Sequence, residues 1–321
     1  MKKLKAIALA VMATGSLAAQ ADCGEVSLGK MGWASGEALA EIAKFVMEQG
    51  YGCSVTLVPT DTVPAVTSLA ENGSPDVVPE VWTNGTPVYA ELVEAGRVIT
   101  ASPVFANGGE EGWWVPTYLV EKHPEVATIE GILANPELVG GRFHNCPVGW
   151  GCRVVNDALS VVHGLEGKGI EVFNHGSGAN LAASIAAAFE DQEAWFGYYW
   201  GPTAVLGKYE MTKVDIGPAD LEVHKRNADP EGDASTWGVS DYPASPVANA
   251  MTTTFADREP EVAEFVTKMT IPNNIVSAML AWKDENGASA EETAAWFITN
   301  HTDLLMDMLS PEAAAKIKAL L

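Results

Sequence analysis

The sequence predicts an α/β protein of two lobes, each a parallel or mixed sheet with flanking helices, closing on a hinged cleft. Three observations carry this. A strand–helix–strand–helix–strand rhythm fills the first eighty residues and restarts after a glycine-rich break at Asn107-Gly108-Gly109. A second break, at Pro243 to Pro246, precedes an apolar stretch suited to rejoin the first unit. Tryptophans stand just past strands in both halves, where sheets of this kind bind their ligands.

Residues 26–31 alternate in the period of a strand. Ser35 is placed to cap the helix that follows, where Leu39, Ile42, Ala43 and Val46 share one face and Gly50 stops it. Residues 53–58 read as a second strand, 62–70 as a helix, and 76–81 as a third strand ending at Trp82 before the turn-prone Thr83-Asn84-Gly85-Thr86-Pro87. Residues 113–118 make the crossing into the second unit. There 129–133 is a helix, 141–145 a strand, 153–164 a helix, 170–174 a strand, 179–189 a helix, and 194–199 a strand leading to Trp200. The polar stretch 229–241 is a surface excursion. Residues 247–255 rejoin the first sheet, and helices follow at 260–270, 273–283, 291–301 and 311–321. Trp282 and Trp296, at helical spacing among Ala, Leu, Ile and Phe, read as core packing. The lobes are then 22–106 with 246–321, and 107–245.

Residues 1–21 have the form of a secretory signal, with Lys2, Lys3 and Lys5, a short apolar run at 6–13, and a small-x-small site cleaved near Ala21. That run is too short to span a bilayer, and no later stretch is long enough. The mature protein is expected in the periplasm, as a monomer. The four cysteines all lie beyond the cleavage site, which implies disulfides, and sequence proximity pairs Cys146 with Cys152 and Cys23 with Cys53. Their spacing does not suit zinc, and no metal or cofactor is expected. Nineteen basic residues, three of them in the leader, face 42 acidic ones, for a net charge of −23. Such a field disfavours nucleic acid and anionic lipid and allows a cationic or zwitterionic ligand.

The loop from Cys146 to Cys152 holds Trp150 between two glycines, directly before a helix. If the cysteines pair, the loop is locked, and the N–H groups of Gly151 and Cys152 open a helix start that attracts an anion. Trp33 and Trp82 from one half and Trp150 and Trp200 from the other could close as a box around one cation. Each ring face contributes roughly 0.5 to 2 kcal/mol to such a cation. Glu80 and Glu111 are further candidates, able to take a hydroxyl or reinforce cation preference, and Ser177 and Asn180 are candidate contacts at the rim. No nucleophile elbow, phosphate-loop lysine or His-Glu-x-x-His pattern is present, so catalysis has no positive support.

Val81-Trp82-Thr83, the Cys146–Cys152 loop and Tyr198-Tyr199-Trp200-Gly201-Pro202 occur in the order and with gaps similar to those of one family. The mature chain resembles the periplasmic glycine betaine/proline betaine-binding proteins of ABC importers (ProX/OpuAC type), and the segments 112–118 and 242–253 resemble those beside its hinges. The resemblance implies the fold of a type II periplasmic binding protein, a membrane permease as partner, and capture of a methylated onium solute. Glycine betaine leads, with choline, trimethylamine N-oxide or dimethylsulfoniopropionate behind it. A secreted enzyme acting on such compounds is the rival of another class. It further implies that Trp82, Trp150 and Trp200 cage the quaternary ammonium and that the amides of Gly151 and Cys152 hold the carboxylate. Two positions depart from the pattern. Thr86 stands where one branch has a carboxylate-binding histidine, and Trp33 adds a fourth wall, as in relatives that take choline or the N-oxide.

Overall fold

A computed structural model describes residues 23–321, so the expected leader lies outside the described residues. The first lobe opens with strand β1 (Glu25–Met31), helix α1 (Ala34–Tyr51), β2 (Ser54–Thr60), α2 (Thr62–Asn72), β3 (Val77–Trp82), α3 (Pro87–Glu94) and β4 (Val98–Pro103). The second holds β5 (Glu110–Pro116), α4 (Thr117–Lys122), α5 (Ile129–Ala134), β6 (Arg142–Asn145), α6 (Gly151–His163) and β7 (Glu171–Asn174). It continues with α7 (Gly178–Asp191), β8 (Gly197–Gly201), α8 (Ala204–Lys208), β9 (Met211–Lys213) and α9 (Leu221–Asn227). The chain then returns through β10 (Val247–Thr252), α10 (Thr253–Arg258), α11 (Pro260–Lys268), α12 (Asn273–Asn286), α13 (Ala290–Asn300), α14 (Thr302–Asp307) and α15 (Pro311–Lys318).

Two five-stranded sheets result, ordered β2-β1-β3-β10-β4 and β7-β6-β8-β5-β9. Both are mixed and follow one plan. Three parallel strands are followed by a strand that has just crossed from the other lobe, β10 in one and β5 in the other, each antiparallel to both neighbours. The two crossing segments also pair with each other, Gly109 and Ser245 exchanging backbone hydrogen bonds of 2.8 and 3.3 Å. Strands β3 and β10 are buried along their whole length, which explains why they read as apolar runs with no alternation.

Several boundaries differ from the sequence expectations for identifiable reasons. Helix α1 is capped by the backbone at Trp33 without a side-chain bond, and Ser35 lies inside its first turn with its hydroxyl donated to Glu80. Gly50 is inside the helix against Ala313, and Gly52 ends it at φ 76°, a left-handed conformation that costs glycine little. β10 stops at Thr252, because Thr252 caps α10 through a bond from the Phe255 amide. Edge strand β4 escaped the sequence reading altogether. Trp282 and Trp296 stack on each other at 5.9 Å, only half-buried, while α12 and α13 bury Val276, Met279, Leu280, Phe297 and Ile298 instead. Cys23–Cys53 ties the starts of β1 and β2, and Cys146–Cys152 closes the loop before α6.

Candidate functional site

Four indoles meet at the junction of the lobes. Trp82 is the last residue of β3, Trp33 and Trp150 are the N-caps of α1 and α6, and Trp200 lies within β8. Together with Thr62, Gly85, Glu111, Gly151, Cys152 and Tyr198 they wall one small cavity. Every one of the four rings is less than a tenth exposed. Trp150 stands edge-on to Trp33 at 5.0 Å and to Trp200 at 5.1 Å, and Tyr198 stacks near Trp200 at 6.1 Å. Tyr198 and Trp200 share a face because they are two apart on a strand. Trp82 sits against the crossing at Gly109, where any Cβ would strike its six-membered ring.

The ring nitrogens are tied to carboxylates. Trp33 Nε1 and Trp82 Nε1 both donate to Glu80 Oε1, at 2.6 and 3.2 Å, and Trp150 Nε1 reaches across the cleft to Asp61 Oδ1 at 3.0 Å. A backbone bond from Val63 N to Gly149 O at 3.0 Å joins the lobes beside it. Glu111 stands on the wall itself, accepting from Tyr198 Oη at 2.8 Å and from the Ser245 hydroxyl on the return crossing. Burial raises the pKa of all three carboxyls against the hydrogen bonds that hold them down, Glu80 to about 7. Among the described residues no basic side chain lines the cavity, and Lys213 stands near Glu111 outside it. The site is therefore an aromatic box backed by acidic side chains, suited to a compact, poorly hydrated cation.

Gly151 and Cys152 are the first two residues of α6, so their N–H groups have no partner inside the helix and open onto the cavity wall. Gly151 also forms the seam between lobes. A Cβ there would lie 2.9 Å from the carbonyl oxygen of Gly85 in the opposite lobe. Gly151→Ala is expected to prop the cleft open and weaken ligand binding at least tenfold while leaving the melting temperature of the ligand-free protein unchanged, as read by titration and thermal denaturation.

Residues 24–300 match the family described as the substrate-binding domain of the ABC-type glycine betaine transport system. The chain belongs to this family. It is a substrate-binding protein of the ABC-type glycine betaine transport family. Among solved structures it is similar to an ABC-transporter choline-binding protein in complex with choline, at 18% identity and TM-score 0.73, covering 93% of this chain and 98% of that one. A glycine betaine/L-proline-binding protein (ProX) from Borrelia burgdorferi gives 14% identity and TM-score 0.72 over 91% and 99%. Lactococcal OpuAC, closed on glycine betaine, gives 18% and 0.68 over 89% and 100%. At these identities the likeness shows the fold alone. No curated protein sequence matches the chain.

Of the residues singled out in this family member, the structure brings Trp33, Trp82, Trp150, Trp200, Gly151, Cys152 and Glu111 to one wall. Others stand elsewhere. Glu80 lies behind the rings rather than among the lining residues, because a bulge in β3 turns it toward α1. The Thr86 hydroxyl is spent on the Trp82 carbonyl at 3.2 Å and does not line the cavity. Ser177 caps α7 by accepting from the Asn180 backbone amide, and of the two only Ser177 touches the wider cleft that Trp33 and Trp200 also line. Sequence reasoning missed Thr62, Gly85 and Tyr198 on the wall, and Asp61 behind it. Tyr198 was legible from its two-residue offset from Trp200, and Thr62 and Asp61 from their place just past β2. Gly85 had no signal.

Proposed function

We propose that the protein captures a methylated onium solute outside the cytoplasm and delivers it to the permease of an ABC importer, acting as a monomer and performing no chemistry on its ligand. The observation that carries this reading is that four indoles drawn from both lobes wall a single cavity on which, among the described residues, no basic side chain stands. Closure of the lobes completes the box, so the bound state is the closed one and is the form a permease would recognise.

Within the onium class, Glu111 on the wall favours choline or trimethylamine N-oxide over glycine betaine. A buried carboxyl beside the ligand rewards a lone positive charge or an oxygen that can share a proton, and it repels a fixed carboxylate. A second reading keeps glycine betaine, because the α6 amides of Gly151 and Cys152 offer an anion site on the same wall. Tryptophan-fluorescence titration across choline, the N-oxide, glycine betaine, dimethylsulfoniopropionate and proline decides. Tight binding of the onium compounds and none of proline is expected. Glu111→Gln should cut the preference for choline over glycine betaine at least tenfold, a change of about 1.4 kcal/mol or more. A response to proline equal to that of the onium compounds would defeat the cage. Incubation with choline followed by NMR should return the solute unchanged, and turnover would defeat the transport role.

A further inference from the structure

Glu80 occupies a place that packing alone does not account for. Between Val78 and Val81 strand β3 carries two residues opposite the single Asn249 of β10, a β-bulge, and Glu80 sits in it at φ 63°. A left-handed conformation is uncommon for a residue with a Cβ, and bulges of this kind redirect a side chain. Here the redirected carboxyl is fully buried, and Oε1 takes three donors: Trp33 Nε1, Trp82 Nε1 and Ser35 Oγ, the last at 2.8 Å. Oε2 has no partner. Three donors on one oxygen suit a carboxylate or the carbonyl of a neutral acid, and the bare second oxygen is where a proton rests. The ionised form is stabilised when a cation arrives on the far side of the two rings, because the carboxylate both attracts it and enriches the π faces through the indole N–H bonds.

Resting on the cage reading above, we propose that Glu80 is the counter-charge of the bound cation, so that capture of an onium solute expels a proton from behind Trp33 and Trp82. The balance is simple. The neutral acid loses the Oε2 proton to water, and the bound cation replaces its charge. The raised pKa of about 7 places this exchange in the neutral range. The charged groups on neighbouring elements are Glu25 and Lys30 of β1, the lysine paired to Glu41 of α1 at 2.7 Å, with Glu37, Lys44 and Glu48 elsewhere on α1, and Glu71 of α2. β10 carries none, Glu111 and Tyr198 stand across the cavity with Lys213 near Glu111, and Asp61 lies beyond Trp150 at the start of α2. Among the described residues none of these bonds to Glu80. The indole and serine donors alone hold it.

The test uses the mature protein and choline, whose charge does not change with pH. Calorimetric titration at pH 7 in buffers of different ionisation enthalpy should show proton release, and affinity should rise roughly tenfold from pH 5.5 to pH 8. Glu80→Gln should abolish the release and flatten the pH profile. Ser35→Ala, which removes a donor to Oε1 and touches no ring, should move the midpoint of the profile to higher pH. If Glu80→Gln keeps the wild-type proton count, the proton belongs to Glu111 or Asp61 and the proposal falls. It falls equally if Glu80→Gln weakens binding by the same factor at every pH, which is the mark of a purely structural role. Binding without proton release overturns this inference and leaves the cage intact, whereas failure of choline and every other onium compound to bind overturns both.

Discussion

Trp150→Ala is expected to weaken onium binding by two to three orders of magnitude. The indole contributes one face of the box, worth about 1 to 2 kcal/mol where water is excluded. Its N–H bond to the Asp61 carboxyl, which joins the lobes, adds about 2 kcal/mol. The total is about 3 to 4 kcal/mol, and fluorescence or calorimetric titration reads it directly. Trp282→Ala is the control: its ring stacks on Trp296 at a half-exposed helix pair and lines no part of the cage, so affinity should not change. An unaltered affinity in the first variant, or a large loss in the second, would move the site elsewhere.

The second large effect is on stability. Glu80→Gln should make the ligand-free protein more stable at pH 8, by about 3 kcal/mol, and the gain should vanish near pH 4.5. The folded pKa of about 7 lies above the ordinary value of 4.5, so the native state holds the proton more tightly than the unfolded chain. The contribution of the carboxyl is therefore fully present below pH 4.5 and is lost as the pH rises through 7. Glutamine keeps a carbonyl oxygen for the three donors and never ionises. Urea unfolding of both proteins at pH 4.5 and pH 8 measures the difference, and a variant less stable than the parent at pH 8 would refute it. A residue that destabilises the empty protein where it is charged is retained for something other than folding.

Much of this arrangement was legible from residue order. The two α/β units and the helix start at Gly151 follow from periodicity, and the positions of the indoles follow from where strands end. What could not be read was set by tertiary context. Edge strand β4 is short and half-polar, and only its pairing with β10 makes it a strand. Ser35 has the chemistry of a helix cap, but a buried acid one strand away took its hydroxyl. Glu80 lay in a run that read as regular strand, and nothing local announced that Asn249 would face two residues at once. The same holds for Gly85, which lines the cavity and faces the backbone of Gly151 across the seam.

The paired crossings at Gly109 and Ser245 have a mechanical corollary. They leave from the β4 and β10 side of the first sheet, whereas Asp61 and Val63 follow β2, at its opposite margin. The bonds to Trp150 and Gly149 thus act at the far end of a lever whose pivot is fixed, where a few degrees of rotation give the largest displacement. Opening about that pivot stretches these two bonds more than any contact that lies nearer the crossings.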